Sequence, residues 1–370
     1  MSEDQQEQRS ALKVNEGVEP PPQVNAGAVK RLRGSRSKEL CPADYLEGLR
    51  KGDRGILSRA ITLVESARPD HQQTAQQIIA ACLPYTGNSL RIGITGVPGA
   101  GKSTFIEALG TYLTGMGKKL AVLAIDPSSA RSKGSILGDK TRMEQLANDP
   151  SAFIRPSPAA GSLGGVARKT RETIILCETA GFDTIFVETV GVGQSEIAVH
   201  AMVDFFLLIM LAGAGDELQG IKRGIMEMAD GITINKADGD NVNAATRAKA
   251  EYANALHLFP PHPSGWEPRV LTCSSTEGRG IAEVWAMISE YKARMQSSGY
   301  FERKRRLQDT TIMRSAVMDH LHDSFFQHSH IKALLPELER AVTANRMSAY
   351  VAAQQLLKAY FDAMAAGKEK

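Results

Sequence analysis

Gly96-Val97-Pro98-Gly99-Ala100-Gly101-Lys102-Ser103 is the stretch that decides the fold. It matches G-x-x-x-x-G-K-[ST], a phosphate-cradling pattern. Leu90-Arg91-Ile92-Gly93-Ile94-Thr95 precedes it and reads as a buried strand. Thr104 to Met116 follows and reads as a helix, with Phe105, Ile106, Leu109 and Leu113 at helical spacing. The three glycines let the backbone turn tightly and approach phosphate oxygens. The loop amides and the helix N-terminus then form an anion nest. Residues Gly96, Val97, Pro98, Gly99, Ala100, Gly101, Lys102, Ser103 and Thr104 are therefore expected to hold a nucleotide. Lys102 is expected on the β- and γ-phosphates, and the Ser103 hydroxyl on Mg2+. A plain Gly-rich turn is the weaker reading, because the strand and helix flank the motif on the correct sides.

Bulk properties narrow the setting. The chain has 370 residues, 42% of them hydrophobic, which suffices for a full core. A formal charge of +3 is too small to imply nucleic acid. Arg303-Lys304-Arg305-Arg306 is basic but lacks an aromatic stacking platform. The four cysteines are scattered without a C-x-x-C pair, which suits buried thiols in a reducing compartment. No apolar run reaches membrane-helix length. Glu3, Asp4 and Glu7 argue against a mitochondrial transit peptide. The expectation is a cytoplasmic protein with no membrane and no nucleic-acid partner.

The chain divides into four expected regions. Residues 1–40 are polar, with Pro20-Pro21-Pro22, and read as a disordered tail. Residues 41–88 are helical. Pro42-Ala43-Asp44 looks like a helix start, and Ile56, Ala60, Ile61 and Val64 face one way, Ile78, Ile79 and Leu83 another, as in a helical pair. Residues 89–298 alternate strand and helix, which argues for an α/β fold with a mostly parallel sheet. Its candidate strands are Arg91–Thr95, Leu120–Ile125, Phe153–Arg155, Thr184–Glu188, Phe205–Leu211, Gly231–Asn235 and Arg269–Cys273. Residues 299–370 form a C-terminal helical arm. Its apolar positions, among them Val317, Leu321, Leu338, Leu356 and Phe361, need a cover. Either a symmetric dimer or the chain's own surface supplies it. His320, His322, His328 and His330 invite a metal reading. His320 and His322, two apart on a helix, point to different faces and read as surface residues.

Acids at strand ends come next. Asp126 closes the second strand, at the sheet edge where α/β proteins bind ligands. It either reaches the metal or caps the next turn. The polar stretch ending in Asp139-Lys140-Thr141-Arg142 suits a switch that orders around Mg2+ and the γ-phosphate. Arg142 is a candidate for stabilising transferred charge. Glu188 ends the fourth strand and runs into Thr189-Val190-Gly191. That pattern suits a metal-holding acid followed by a glycine whose N–H senses the γ-phosphate. Val192 stands where many small GTPases carry a water-positioning glutamine, so intrinsic hydrolysis is expected to be slow. The stretch from Ala212 to Arg223 is either a third mobile segment or an ordinary strand-to-helix connection.

Asn235-Lys236-Ala237-Asp238 reads the base. The Asp238 carboxylate accepts from guanine N1–H and N2–H2. Adenine offers an acceptor at N1 and no 2-amino group. An unpaired buried acceptor costs about 2–3 kcal/mol, a discrimination of roughly 30- to 150-fold. Lys236 packs along the base and Asn235 ties loops together. Ser274 and Ser275 follow the last strand and are expected to add backbone contacts to guanine O6. The expected ligands are GTP and GDP with Mg2+.

The set 96–104, Ala124-Ile125-Asp126-Pro127-Ser128-Ser129, 138–143, 188–196, Gly215-Asp216-Glu217-Leu218-Gln219-Gly220-Ile221-Lys222 and 235–238 resembles the MeaB/ArgK/methylmalonic aciduria type A family of GTPases. The resemblance runs from about residue 45 to 365. It implies a P-loop NTPase of the SIMIBI type and a G-protein chaperone of an adenosylcobalamin-dependent acyl-CoA mutase, chiefly methylmalonyl-CoA mutase. It implies a homodimer built through the C-terminal helices. By motif, Ser103, Asp126, Asp139 and Glu188 serve the magnesium site, and Gln219 and Lys222 belong to a third switch that responds to the mutase. Two alternatives stand beside it. One is a nickel-insertion GTPase, for which no Cys/His cluster is evident. The other is a kinase linked to an amino-acid transport protein.

Overall fold

Seven strands build one sheet: β1 (Leu90–Gly96), β2 (Leu120–Asp126), β3 (Ala152–Pro158), β4 (Thr184–Thr189), β5 (Phe205–Leu211), β6 (Gly231–Asn235) and β7 (Arg269–Thr272). Their spatial order is β3-β2-β4-β1-β5-β6-β7, and every pairing is parallel. All seven strands expected from the sequence are present. The computed structural model describes residues 40–126, 143–158, 163–189, 195–213 and 223–366. The chain divides into two units, residues 1–41 and 42–370.

β1 is central, between β4 and β5. It is buried along its length, as are β4 and β6. That burial is why these strands read as continuous apolar runs rather than as alternation. The register matters for function. Ile94 lies opposite both Glu188 and Leu207, Gly96 opposite Ile209, and Leu211 opposite Asn235. The C-terminal ends of β4, β1, β5 and β6 therefore finish side by side. Chain order reverses around β1, which makes this edge the binding crevice of an open α/β sheet.

Helices cover the sheet. α1 (Pro42–Arg50), α2 (Arg54–Glu65) and α3 (Pro69–Cys82) pack on one another and on α6 (Leu163–Thr179). The sequence suggested a pair here, and the structure has three. The Asp53 carboxylate accepts from the Gly55 and Ile56 amides, which starts α2 afresh after α1. α4 (Lys102–Gly115) follows the phosphate loop and buries Phe105, Ile106, Leu109 and Leu113 fully. Each such side chain contributes about 1.5–3 kcal/mol of transfer free energy. Three short helices were not anticipated: α5 (Glu144–Asn148), α7 (Ser195–His200) and α8 (Arg223–Met228). At five or six residues, none has enough turns to show a period. α9 (Val242–Leu256) packs on β7.

The C-terminal part comprises α10 (Ile281–Ser297), α11 (Tyr300–Gln327), α12 (Ser329–Thr343) and α13 (Ala349–Ala366). Gly299 breaks the stripe, as its sequence position suggested, and caps α11. The first turns of α11 grip the underside of the sheet. Asp204 accepts from Arg305 Nε at 2.7 Å and Arg305 Nη2 at 2.6 Å, and also from the Arg91 amide at 2.8 Å. Arg305 donates further to the Gly87 and Ser89 carbonyls, both at 2.6 Å. Lys304 Nζ donates to the Asp204 carbonyl at 2.6 Å and lies 3.6 Å from Asp230. Half of the basic run 303–306 thus points into the protein.

The distal helices settle part of the question left by their apolar residues. Ile331, Leu338, Ala352 and Leu356 form a small core with Phe325, Leu334, Leu335 and Tyr360 packed against it. Val317, Leu321, Leu357 and Phe361 stay exposed, at 53%, 56%, 48% and 64%. One set is covered by its own chain, and the other faces outward. Cys82, Cys177 and Cys273 are buried, but Cys41 is exposed, against the expectation of buried thiols throughout. Among the described residues, no helix is long and apolar enough to cross a membrane, and no cluster of His, Cys, Asp and Glu is fit for a metal.

Candidate functional site: a nucleotide crevice at the sheet edge

The phosphate loop starts where β1 leaves the sheet. A Cβ on Gly96 would sit 2.2 Å from the Ile209 carbonyl oxygen, so only glycine passes here. Gly101, with φ +80°, opens α4, and a Cβ there would come within 2.9 Å of Asn235 Nδ2. Val97 and Ala100 are buried, while Pro98, Gly99 and Thr104 are exposed. Lys102 folds back over its own loop. Its Nζ donates to the carbonyls of Gly96 at 2.9 Å and Val97 at 3.3 Å. Burial lowers the pKa of this ammonium, and the fields of Glu188 and Glu196 oppose that shift.

Beside it stands an oxygen pair. Ser103 Oγ donates to Glu188 Oε1 at 3.4 Å, and Glu188 is 3% exposed at the end of β4. Thr189 Oγ1 donates to Thr95 Oγ1 at 2.8 Å and locks the two strand ends together. A hydroxyl and a carboxylate meeting at a strand edge form a hard, all-oxygen donor set. That suits Mg2+, which takes one or two protein ligands alongside waters and phosphate oxygens. Asp126 ends β2, two residues past the partner of Glu188. Only its backbone is described. Asp139, Arg142, Gly191, Gln219 and Lys222 lie outside the described residues.

The loops that follow β6 and β7 join the phosphate loop directly. Asn235 is 1% exposed at the end of β6. Its Nδ2 donates to the Ala100 carbonyl at 2.8 Å. Its Oδ1 accepts from the Ser275 hydroxyl at 2.7 Å, the Ser275 amide at 3.2 Å and the Cys273 thiol at 3.4 Å. Burial pushes the Cys273 thiol up to about 12, so it stays a neutral donor. Lys236 adopts φ +58°, and Asn241 Nδ2 donates to its carbonyl at 2.7 Å. Asp238 accepts on Oδ2 from Ser274 Oγ at 2.5 Å and Thr276 Oγ1 at 3.3 Å. Among the described residues, that leaves Oδ1 for a ligand. Thr276 was not foreseen. The hydroxyl run Ser274-Ser275-Thr276 was its only signal.

The structure therefore brings Lys102, Ser103, Glu188, Asn235, Asp238, Ser274 and Ser275 to one edge of the sheet. Chemically, that edge offers an anion nest, a cation, an oxygen pair suited to a metal and an oriented carboxylate.

Known proteins resemble this chain. Residues 57–330 match the family model described as "Methylmalonyl Co-A mutase-associated GTPase MeaB". A probable GTPase of Mycobacterium tuberculosis is 51% identical over 319 residues, which is 85% of this chain and 95% of the relative. GTPase ArgK of Escherichia coli K12 is 46% identical, covering 88% of this chain and 99% of the relative. The mitochondrial methylmalonic aciduria type A homolog of Mus musculus is 46% identical, covering 91% and 84%. Among solved structures, one described as a LAO/AO transport system kinase superposes with a TM-score of 0.70 at 40% identity, covering 86% of this chain and 96% of that one. With the P-loop and the guanine-reading loop joined at one sheet edge, the chain belongs to the MeaB family of P-loop GTPases, enzymes that hydrolyse GTP.

Proposed function

We propose that this GTPase is a G-protein chaperone of an adenosylcobalamin-dependent acyl-CoA mutase, with methylmalonyl-CoA mutase as its client. In this reading it gates cofactor loading and protects or reactivates the mutase, working in the cytoplasm. The observation that carries the reading is the match of residues 57–330 to the mutase-associated family.

The residues take the following roles. The amides of 96–104 and the Lys102 ammonium bind the β- and γ-phosphates. Ser103 and Glu188 hold Mg2+, with Asp126 and Asp139 completing or orienting its shell. When bound, the metal neutralises charge that builds on the β- and γ-oxygens. Gly191 senses the γ-phosphate, and Arg142 stabilises charge as the bond to the leaving group breaks. Asp238 grips guanine through N1–H and N2–H2, and Lys236 lies along the ring. Ser274 and Ser275 brace Asp238 and Asn235 through their hydroxyls. Against the sequence expectation, their amides are engaged by the Arg279 carbonyl and Asn235 Oδ1 rather than directed at O6. Water attacks the γ-phosphorus, giving GDP and phosphate. Val192 in place of a glutamine leaves that water loosely held, so turnover waits for the client. Gln219 and Lys222 carry the response to the mutase.

The protein works as a homodimer. Its exposed stripe of Met313, Val317, Met318 and Leu321 on α11 supports a second copy of the chain as cover. The test is GTP turnover with and without saturating cognate mutase. Stimulation of about tenfold or more is expected, in the range of partner-supplied catalysis. Unchanged turnover would remove the client from the reading. Labelled γ-phosphate appearing on protein rather than in solution would favour the transport-linked kinase instead.

A further inference from the structure

Thr95 and Thr189 meet where β1 and β4 reach the nucleotide edge, and both are buried, at 1% and 0% exposed. Thr189 Oγ1 donates to Thr95 Oγ1 at 2.8 Å. Valine would fill the same space with no polar atom to satisfy. Two hydroxyls in so dry a place are costly unless they answer each other, so the pair calls for a reason beyond filling space.

The strand register supplies one. The backbone ladder between β1 and β4 ends one residue earlier, at Ile94 opposite Glu188. β1 goes on pairing with β5 on its other side, as far as Gly96, and β4 with β2, as far as Thr189. The hydroxyl bond carries the β1–β4 link one residue further, to the point where β1 becomes the phosphate loop. Side chains alternate across a strand, so the two threonines share one face and Ile94 and Glu188 the other. The pair therefore pins the strand ends from the face opposite the Glu188 carboxylate, which meets Ser103. Mg2+ demands near-octahedral geometry with ligands at about 2.0–2.1 Å, so a pair of oxygens from two different strands serves it only if the strands are held in place.

We infer that Thr95 and Thr189 are positioning residues for the metal. Their hydroxyl bond sets the separation of the phosphate loop from Glu188, and with it the fit of the Ser103 and Glu188 oxygens to Mg2+. The inference rests on the proposed role of Ser103 and Glu188 in holding that ion.

The test titrates Mg2+ against binding of a fluorescent GDP analogue by the full-length protein, with affinity in EDTA and the thermal midpoint read alongside. Thr189→Val keeps the shape and loses the bond. It should raise the Mg2+ concentration for half-maximal effect by about fivefold or more, since small misplacements around a tightly coordinated ion are costly. Its affinity in EDTA should stay within about twofold of the parent, because the anion nest is intact. Thr189→Ser keeps a hydroxyl and should hold the Mg2+ requirement within about twofold. Thr95→Val combined with Thr189→Val strands no hydroxyl, so it should melt near the parent and still need the extra Mg2+. This double variant also carries the test if Thr189→Val does not fold. An unchanged Mg2+ requirement in the double variant overturns the inference. So does an equal loss of affinity with and without Mg2+, which would make the pair a brace for the loop alone. Glu188→Gln tests the metal pair separately and should raise the Mg2+ requirement by about tenfold or more. No shift there would bring down the metal pair itself, and the inference with it.

Discussion

Asn235 Nδ2 donates to the carbonyl oxygen of Ala100 at 2.8 Å, joining the end of β6 to the phosphate loop across 135 residues of chain. The same side chain accepts from Ser275 and Cys273 through Oδ1. Three loops of the proposed nucleotide site therefore share one buried amide. Asn235→Ala leaves the Ala100 carbonyl and the Ser275 donors without this partner. Affinity for GTP and GDP should fall by about ten- to hundredfold, the loss expected for buried hydrogen bonds. A fluorescent-nucleotide titration reads it. Affinities within twofold of the parent would show that the loops hold their places independently.

In the proposed site, Asp238 is the group that reads the base. Asp238→Asn exchanges one acceptor for a donor where guanine presents its 2-amino group. GTP binding should weaken by roughly 30- to 150-fold, and XTP, with a carbonyl at C2, should bind better than GTP. Competition between the two nucleotides decides the matter. A variant that still prefers GTP would mean that another group reads the base.

Asp204 secures α11 to the sheet through Arg305 and the Arg91 amide. Its side chain is 2% exposed and that of the arginine 12%. Removing one partner strands the other charge in a poorly hydrated site. Asp204→Ala should cost about 3–5 kcal/mol in denaturant unfolding. The double variant with Arg305→Met should recover part of that loss, because no buried cation then remains. A single variant as stable as the parent would place the anchor elsewhere.

His200 makes stability depend on pH. Burial first, then the nearby Lys304 ammonium and His262, lower its pKa from 6.5 to about 4, while Asp230 opposes them. Between these values the unfolded chain takes up a proton that the folded protein refuses. Stability is therefore intact above pH 6.5, falls as pH drops through that window, and stops falling from this cause near pH 4. The slope from one such group is at most about 1.4 kcal/mol per pH unit. His200→Phe, which keeps a ring edge-on to Phe206, should flatten the decline between pH 6.5 and 4. Parallel stability curves for the two proteins would count against it.

The outward face of α11 tests the assembly. Leu321→Asp puts a charge on a side chain that is 56% exposed in the single chain. If a second copy covers that face, light scattering should show a shift from dimer to monomer, with GTP binding kept. A parent protein that is monomeric at working concentration would remove the dimer from the proposed function.

Much of this protein was legible along the chain. The strand, loop and helix around 96–103 are adjacent in sequence, so spacing alone implied their arrangement. The strands, and the acids that end two of them, followed from apolar runs bounded by polar residues, while their order in the sheet did not. α5, α7 and α8 escaped because a helix of five or six residues leaves no period to read. Thr276 escaped because a hydroxyl near a motif reveals its partner only when the partner's direction is known.

By itself, then, the sequence determined the seven-stranded α/β fold, the phosphate-loop and N-K-x-D motifs and the family. Local spacing and strand-end chemistry suffice for those. Tertiary structure alone decided that Asn235 clasps Ala100, that Lys304 and Arg305 turn inward rather than toward a partner, and which apolar positions of the arm are covered. Each of those outcomes depends on groups far apart in the chain meeting at hydrogen-bonding or van der Waals distance. A linear pattern carries no record of which distant group arrives opposite which.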